Sequence, residues 1–143
     1  MPILETDFLL GLRSGDSKHS SSLAILRLAT ARKVKKLAIC GSAFVEIGVG
    51  MRGSLTRPDI VEVLLNLRAL VASIAEIPLS SLIIMSGLEL EDRLSVTNLF
   101  DCLHAATALS HDAVIVSDDR FYEKVPGLTR LSFTNFLQKL QTS

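Results

Sequence analysis

The chain has 143 residues, of which 48% are hydrophobic and 21% charged. This length and composition predict a single domain over residues 1–143, with a core large enough to fold without a disulfide or a metal ion. Its 15 basic side chains balance 15 acidic ones, which excludes the strong overall positive field of many nucleic-acid-binding proteins. Any nucleic-acid partner must therefore be held by a local patch.

Cysteine usage and hydropathy bear on the compartment of the protein. Cys40 and Cys102 lie in apolar segments without a pairing pattern, as expected in a reducing compartment. The first residues carry neither a positively charged region nor a long apolar stretch, and Glu76 and Pro78 interrupt the most apolar span. We therefore expect a cytoplasmic protein without a signal peptide or a membrane segment.

The first predicted element is a short buried strand over residues 2–4, which ends at the segment Glu5-Thr6-Asp7. Because side chains alternate along a strand, Glu5 and Asp7 are expected on one side and Thr6 on the other. A helical turn over residues 8–12 follows. The two acids are therefore predicted to lie where a strand gives way to a helix.

The second predicted strand, over residues 37–39, also leads to an acid. It follows a helix that the serines at positions 20–22 are expected to cap and that runs to about Arg32. After the strand, a helix over residues 43–51 carries Glu46 among apolar neighbours. An ionised carboxylate in that setting needs a partner or a metal ion.

A long helix is predicted to begin at Arg57-Pro58, with proline in its favoured first turn. The segment from Ile60 to Ile74 is apolar on more than one face, so the helix is either buried or part of a dimer interface. A short strand over residues 74–77 and a helix over residues 80–93 follow.

The next helix is predicted to have Thr97 as its N-cap and to carry Asp101 in its first turn, where the helix dipole tolerates a negative charge. Small alanines later in this helix let it lie close to the sheet, which anchors Asp101 on a rigid element. His104 follows one turn after Asp101. We interpret it as a core or helix-surface histidine, with contact to a substrate phosphate as the alternative.

The segment over residues 113–117 has no polar alternation, which predicts a strand buried on both faces. Asp118 and Asp119 follow this strand directly. An edge strand over residues 128–133 and a helix over residues 135–140 are predicted near the end of the chain.

The alternation of strands and helices predicts an α/β fold, a three-layer α/β/α sandwich around a central, mostly parallel sheet. Ligand sites in such sheets form outside the carboxyl ends of the strands. The acids expected at this edge are Glu5, Asp7, Glu46, Asp101, Asp118 and Asp119. Clustered carboxylates repel one another unless a cation neutralises them, and Mg²⁺ or Mn²⁺ prefers oxygen ligands. Such an ion activates a water molecule that attacks a phosphodiester. The acids therefore predict a reaction at phosphate groups.

Four motifs in this order resemble the PIN-domain ribonucleases, in particular toxins of the VapC type. They are Ile3-Leu-Glu5-Thr-Asp7-Phe-Leu-Leu-Gly-Leu, Ser42-Ala-Phe-Val-Glu46, Phe100-Asp101-Cys-Leu-His104-Ala-Ala-Thr-Ala108 and Val114-Ile-Val-Ser117-Asp118-Asp119-Arg-Phe121. The resemblance implies a compact α/β/α fold, a quartet of acids that holds Mg²⁺ or Mn²⁺, and cleavage of RNA. It also implies a homodimer and, for toxins, a small antitoxin protein as partner.

Carried over by position, Glu46 and Asp101 match the second and third acids of the family. Asp119 matches the fourth acid, with Ser117 in a threonine position and Asp118 in a variable one. These three acids are therefore candidates for catalysis and for metal binding, and Asp118 is a further candidate ligand.

The first acid is open between Glu5 and Asp7. The resemblance aligns Glu5 with it, although the family commonly has the shorter aspartate there. Strand geometry favours Asp7, because it would point to the same side as Glu5 and ligate a cation directly. Both residues are candidates for catalysis and for metal binding.

Two other functions are compatible with the sequence. The segment Glu5-Thr-Asp7 imitates the start of a haloacid-dehalogenase-like phosphatase, although Glu5 stands where that chemistry needs an aspartyl nucleophile. Alternatively, a PIN fold with a weakened or inactive metal site would serve as an RNA-binding or protein-interaction scaffold. Metal-dependent cleavage separates an enzyme from such a scaffold.

Overall fold

A parallel sheet forms the centre of the computed structural model, which describes residues 1–142. The strands in this range are β1 (Ile3–Leu4), β2 (Ala38–Cys40), β3 (Ala75–Ile77), β4 (Val114–Val116) and β5 (Thr129–Leu131). Their spatial order is β3-β2-β1-β4-β5 and each pairing is parallel. The predicted α/β fold is thus confirmed.

Helices connect the strands and flank the sheet. The α-helices in the described range are α1 (Thr6–Gly11), α2 (His19–Thr30), α3 (Gly41–Gly50), α4 (Arg57–Leu70), α5 (Ser81–Leu94), α6 (Leu99–Leu109) and α7 (Phe133–Gln141). A 3-10 helix over Arg120–Lys124 lies between β4 and β5. Within residues 1–142, no helix is long and apolar enough to cross a membrane.

The register of the central strands brings their carboxyl ends to one edge. Leu4, the last residue of β1, pairs with Ile39 on one side and with Val116 on the other. All three side chains are buried, which agrees with strands that are covered on both faces. The segments that follow β1, β2 and β4 therefore begin side by side. These segments carry the predicted acids apart from Asp101, which lies in α6.

The start of α1 differs from the sequence prediction. Strand β1 ends at Leu4, and Glu5 is the N-cap of α1, where its side chain accepts a hydrogen bond from the backbone N–H of Asp7 at 3.2 Å. Asp7 lies in the first turn of the helix. The prediction that Glu5 and Asp7 alternate with Thr6 along a strand was therefore wrong.

The start of α2 also differs, because a turn upstream of the predicted serines sets it. Asp16 accepts hydrogen bonds from Lys18 N–H through its carboxylate at 2.8 Å and from His19 N–H through its carbonyl oxygen at 3.1 Å. The helix then begins at His19, with Lys18 as N-cap. The serines at positions 20–22 lie inside the first turns and do not cap it.

The starts of two further helices differ from the prediction by one or two residues. The N-cap of α6 is Asn98 rather than Thr97. Helix α7 begins at Phe133, because Ser132 caps it by accepting a hydrogen bond from Asn135 N–H at 3.1 Å. Residue 133 is therefore helical and not part of the edge strand.

Helix α4 begins at Arg57 as predicted, with Thr56 as the capping residue. Ile60 is its one buried residue within the described range, whereas Val61 and Leu65 are 55% and 66% exposed. Of the two alternatives for this apolar helix, burial is therefore wrong. Its apolar side chains are available to a partner.

Candidate metal centre

A cleft of about 770 Å³ lies at the carboxyl edge of the sheet. The acidic residues that line it are Glu5, Asp7, Glu46, Asp101 and Asp119. Apolar side chains from α1, α3 and α4 line the remainder. The structure therefore brings together the predicted acids, apart from Asp118, beside an apolar wall.

Glu5, at the junction of β1 and α1, is almost fully buried, with 3% of its surface exposed. Besides the backbone of Asp7, its carboxylate contacts the hydroxyl of Tyr122, which donates to Oε2 at 3.4 Å. Burial, with the neighbouring charge of Asp7, raises the pKa of Glu5 to about 8. The carboxyl group of Glu5 therefore favours its protonated form near neutral pH.

Asp7 lies nearer to solvent and is half-buried. Its Oδ2 lies 3.6 Å from Nζ of Lys18. Burial raises the pKa of Asp7, the charge of Lys18 opposes this shift, and the charge of Asp119 adds to it. Asp7 is thus an acid with its own counter-ion at the rim of the cleft.

Asp101 lies in the first turn of α6, as predicted. The Tyr122 hydroxyl also lies 3.4 Å from Asp101 Oδ1, so that this buried tyrosine contacts both Asp101 and Glu5. Burial raises the pKa of Asp101; His104 opposes this shift, and the charges of Asp119 and Glu46 add to it. No sequence pattern predicts the role of Tyr122, because 117 positions separate it from Glu5.

Glu46 reaches the cleft because α3 begins directly after β2. Gly41 makes this turn possible, since a Cβ at that position would lie 2.9 Å from the carbonyl oxygen of Ile77. The hydroxyl of Thr6 donates a hydrogen bond to Glu46 Oε1, and His104 Nε2 lies 3.0 Å from the same oxygen. Burial alone would raise the pKa of Glu46, but these two hydrogen bonds outweigh it and lower the pKa.

His104 is completely buried, in agreement with its interpretation as a core histidine. Its ring nevertheless belongs to the site, because Nε2 also lies 3.1 Å from Thr6 Oγ1 and Nδ1 lies 2.7 Å from Ser42 Oγ. Burial lowers the pKa of His104, but contacts with Cys40 and Glu46 outweigh it, and the pKa lies well above its ordinary value. Thr6, which the strand pattern placed on the other side, thus points into the site.

The two consecutive acids after β4 have different surroundings. Asp119 lines the cleft and caps the 3-10 helix by accepting a hydrogen bond from Phe121 N–H at 2.9 Å. The carboxylate of Asp118 accepts a hydrogen bond from Phe133 N–H at 3.0 Å and does not line the cleft. Asp118 therefore ties the loop after β4 to the start of α7.

The residues of the cleft fit a divalent cation. One ligand atom from each of Glu46, Asp101 and His104 lies within 4.8 Å of the others. Further carboxylates from Glu5, Asp7 and Asp119 line the same cleft. Carboxylate oxygens are the donors that Mg²⁺ and Mn²⁺ prefer.

The parallel sheet and the carboxylates at its edge define an α/β protein with an acidic cleft at the carboxyl ends of its strands. The sequence matches the PIN domain family over residues 3–128, and the chain belongs to this family. Comparison with curated proteins gives no significant match.

Solved structures with the same fold include three from toxin–antitoxin systems. VapBC2 from Rickettsia felis, bound to a DNA fragment from its promoter, has a TM-score of 0.65 and 18% identity and covers 91% of this chain and 96% of that chain. DNA-bound VapBC from Salmonella typhimurium has a TM-score of 0.66 and 15% identity, with coverages of 93% and 99%. VapC20 from Mycobacterium tuberculosis, a toxin that cleaves the sarcin-ricin loop, has a TM-score of 0.65 and 14% identity, with coverages of 88% and 95%.

The buried carboxyl of Glu5 leads to a prediction about stability. Its pKa is 4.5 in a model compound and about 8 in the folded chain, so the folded state binds this proton more tightly. The free energy of unfolding of the metal-free protein is therefore expected to fall by a few kcal/mol as the pH rises from about 5 to about 8. Urea denaturation in EDTA across this range measures it.

Glu5→Gln removes the titrating group and is expected to flatten this pH dependence. Glu123→Gln is a matched control, because Glu123 is an exposed glutamate paired with Arg130. The same slope in wild type and Glu5→Gln would contradict the prediction.

Proposed function

We propose that the protein is a metal-dependent endoribonuclease that hydrolyses phosphodiester bonds of RNA, and that it is the toxin of a toxin–antitoxin pair. The observation that carries this proposal is that five carboxyl groups meet in one cleft of a PIN-domain chain. They come from the junction of β1 and α1, from α1, α3 and α6, and from the loop after β4. Glu46 and Asp101 would hold Mg²⁺ or Mn²⁺, together with Glu5 or Asp7 and with Asp119.

A bound divalent cation supplies an activated water and stabilises negative charge on the phosphoryl oxygens. The chain itself positions the acids on rigid elements: Asp101 on α6, Glu46 on α3, and Glu5 at the junction of β1 and α1. One of these carboxylates would accept a proton from the attacking water. The water oxygen would form a bond to phosphorus as the P–O bond to the leaving sugar oxygen breaks, and the sugar oxygen would take up a proton from solvent.

The substrate requires local positive charge, because the chain has a net charge of zero. Arg13 lines the cleft, and Lys18 lies beside Asp7 at its rim. We propose that these side chains contact phosphates of the bound RNA. VapC20, which shares the fold, is described as a toxin that cleaves the sarcin-ricin loop, which supports RNA as the substrate class.

The proposal is tested by incubating purified protein with end-labelled single-stranded and stem-loop RNA, in Mg²⁺ or Mn²⁺ and in EDTA. Metal-dependent internal cleavage is the expected result. Cleavage that persists in EDTA would refute the metal-dependent mechanism. Binding of RNA without cleavage in either ion would support the alternative of a scaffold with an inactive metal site.

The apolar wall of the cleft is the surface that we propose for an antitoxin. Leu67 and Leu70 of α4 line this wall opposite α1, and Leu70 is 51% exposed. Solved structures with this fold are described as complexes, among them a toxin–antitoxin complex from Klebsiella pneumoniae. A partner segment lying on this wall would block access of RNA to the acids.

Leu70→Glu is expected to weaken binding of the protein encoded beside this one by at least about tenfold, because it places a charge in an apolar contact. Leu65→Glu is the matched control: at about 100° per residue, Leu65 lies on a different face of α4. Titration calorimetry measures both, and RNA cleavage by Leu70→Glu should be retained. Equal weakening by both substitutions would contradict this assignment.

We also predict a homodimer that uses the outer face of α4, where Val61 and Leu65 are exposed. Light scattering at micromolar concentration should give twice the 15.5 kDa mass of the chain. Leu65→Glu is expected to shift the mass towards the monomer, whereas Leu70→Glu is not. A monomeric wild type at every concentration would refute the dimer.

A further inference from the structure

The buried ring of His104 is held from behind through Nδ1. This nitrogen lies 2.7 Å from Ser42 Oγ and 3.3 Å from Cys40 Sγ. The thiol of Cys40 donates its own hydrogen to the carbonyl oxygen of Leu4 at 3.4 Å, so its sulfur is left to accept. The N–H at Nδ1 therefore has two acceptors, which fixes the orientation of the ring.

The opposite nitrogen, Nε2, faces the acids. In the metal-free chain Nε2 donates a hydrogen bond to Glu46 Oε1 at 3.0 Å and lies 3.1 Å from Thr6 Oγ1, so a cation that binds Nε2 displaces the proton of this hydrogen bond. Asp101 and His104 lie three residues apart on α6, so they share a face of the helix. With Glu46 they form the group whose ligand atoms lie within 4.8 Å of one another.

We infer that His104 is itself a ligand of the divalent cation, through Nε2, together with Glu46 and Asp101. Histidines that bind metals characteristically donate their second ring N–H to a neighbouring acceptor, which sets the tautomer and the orientation of the ring. Ser42 Oγ occupies that position here. This inference rests on the proposed metal-dependent function. It also narrows the choice of metal ion, because an imidazole nitrogen favours transition metals such as Mn²⁺, Co²⁺ or Ni²⁺ over Mg²⁺.

The alternative role of His104 is to hold Glu46 by a hydrogen bond without touching the ion. The two roles differ in one observable: a ligand places its nitrogen in the coordination sphere, whereas a positioning residue does not. Pulsed electron paramagnetic resonance of bound Mn²⁺ reads this difference directly, since a coordinated imidazole gives a resolved nitrogen coupling. The measurement needs no catalytic turnover.

The experiment uses the Mn²⁺-loaded full chain and its His19→Gln/His111→Gln double variant, in which His104 is the sole remaining histidine of three. His19 contacts the carbonyl oxygen of Gly11 and His111 that of Thr107, so neither belongs to the cluster. We expect the nitrogen coupling in both proteins, and its replacement by a ¹⁵N coupling after labelling with ¹⁵N-histidine. This part of the test does not depend on any substitution at His104.

His104→Gln adds a measure of selectivity, because glutamine retains a donor towards Glu46 but has no imidazole nitrogen. Its affinity for Mn²⁺ is expected to fall at least about tenfold, and its affinity for Mg²⁺ by less than about threefold. Stoichiometric Mn²⁺ without nitrogen coupling in the double variant would overturn the inference but leave the proposed nuclease intact. Absence of bound Mn²⁺ in the wild type would overturn the inference, and absence of both Mn²⁺ and Mg²⁺ would overturn the proposed nuclease as well.

Discussion

Replacing Asp101 by asparagine is expected to reduce RNA cleavage by at least about a hundredfold. Asp101 is proposed as a direct ligand, and loss of a ligand costs more than the ten- to hundredfold typical of residues behind the ligands. The substitution preserves shape and keeps an oxygen that accepts from Tyr122, whose hydroxyl lies 3.4 Å from Asp101 Oδ1. It removes the charge that a cation at this edge needs. Single-turnover cleavage of labelled RNA in saturating Mn²⁺ measures the effect.

Asp118→Asn is the matched control for this experiment. It makes the same chemical change at the same edge of the sheet, but the carboxylate of Asp118 accepts a hydrogen bond from Phe133 N–H and lies outside the cleft. We expect cleavage within about threefold of the wild type. Undiminished cleavage by Asp101→Asn, or an equal loss in both variants, would contradict the assignment of Asp101.

The positions of Glu46 and Asp119 were predictable because they depend on strand order. Parallel strands end at the same edge, so an acid that follows such a strand lies near its counterparts whatever the exact boundaries are. Asp101 was predicted at the same edge although it lies in the first turn of α6 and not after a strand, and the cleft contains all three acids. Sequence adjacency did not decide between Asp118 and Asp119, because a turn sends consecutive side chains in different directions.

The positions of the other side chains at the site depend on details of packing that the periodicity of the sequence does not contain. Thr6 points to Glu46 because the helix starts directly after Leu4, and the helical period replaces the strand period at that residue. The Tyr122 hydroxyl reaches Glu5 across 117 positions of the chain, so only the three-dimensional packing places it there. Ser42 contacts His104 through the same kind of long-range packing.

The surface of α4 shows a different limit of prediction from the sequence. Its sequence is apolar on more than one face, and such a pattern is equally compatible with burial and with an interface. The structure decides against burial, because Val61 and Leu65 are exposed on one face of the helix and Leu70 on another. Which partner covers each face is a property of a second molecule, and a single sequence does not encode it.

The structure also changes which of Glu5 and Asp7 is expected to be the first acid of the proposed metal site. The argument for Asp7 required both side chains on one face of a strand, but Glu5 is a helix N-cap and Asp7 lies in the first turn. Glu5 is almost fully buried and shares the hydroxyl of Tyr122 with Asp101. Asp7 lies nearer the rim with Lys18 beside it, which already neutralises part of its charge.

Glu5→Gln is therefore expected to reduce cleavage by about a hundredfold, and Asp7→Asn by about tenfold. The buried carboxyl group of Glu5 shares the Tyr122 hydroxyl with Asp101 and has no basic side chain among its hydrogen-bond partners, so a cation that displaces its proton would meet a carboxylate without a counter-ion. Cleavage rates and Mn²⁺ affinity by calorimetry decide the comparison, with Glu123→Gln as the control for an exposed glutamate. If Asp7→Asn abolishes both while Glu5→Gln leaves them near the wild-type values, Asp7 is the first acid of the site and Glu5 serves only to cap α1.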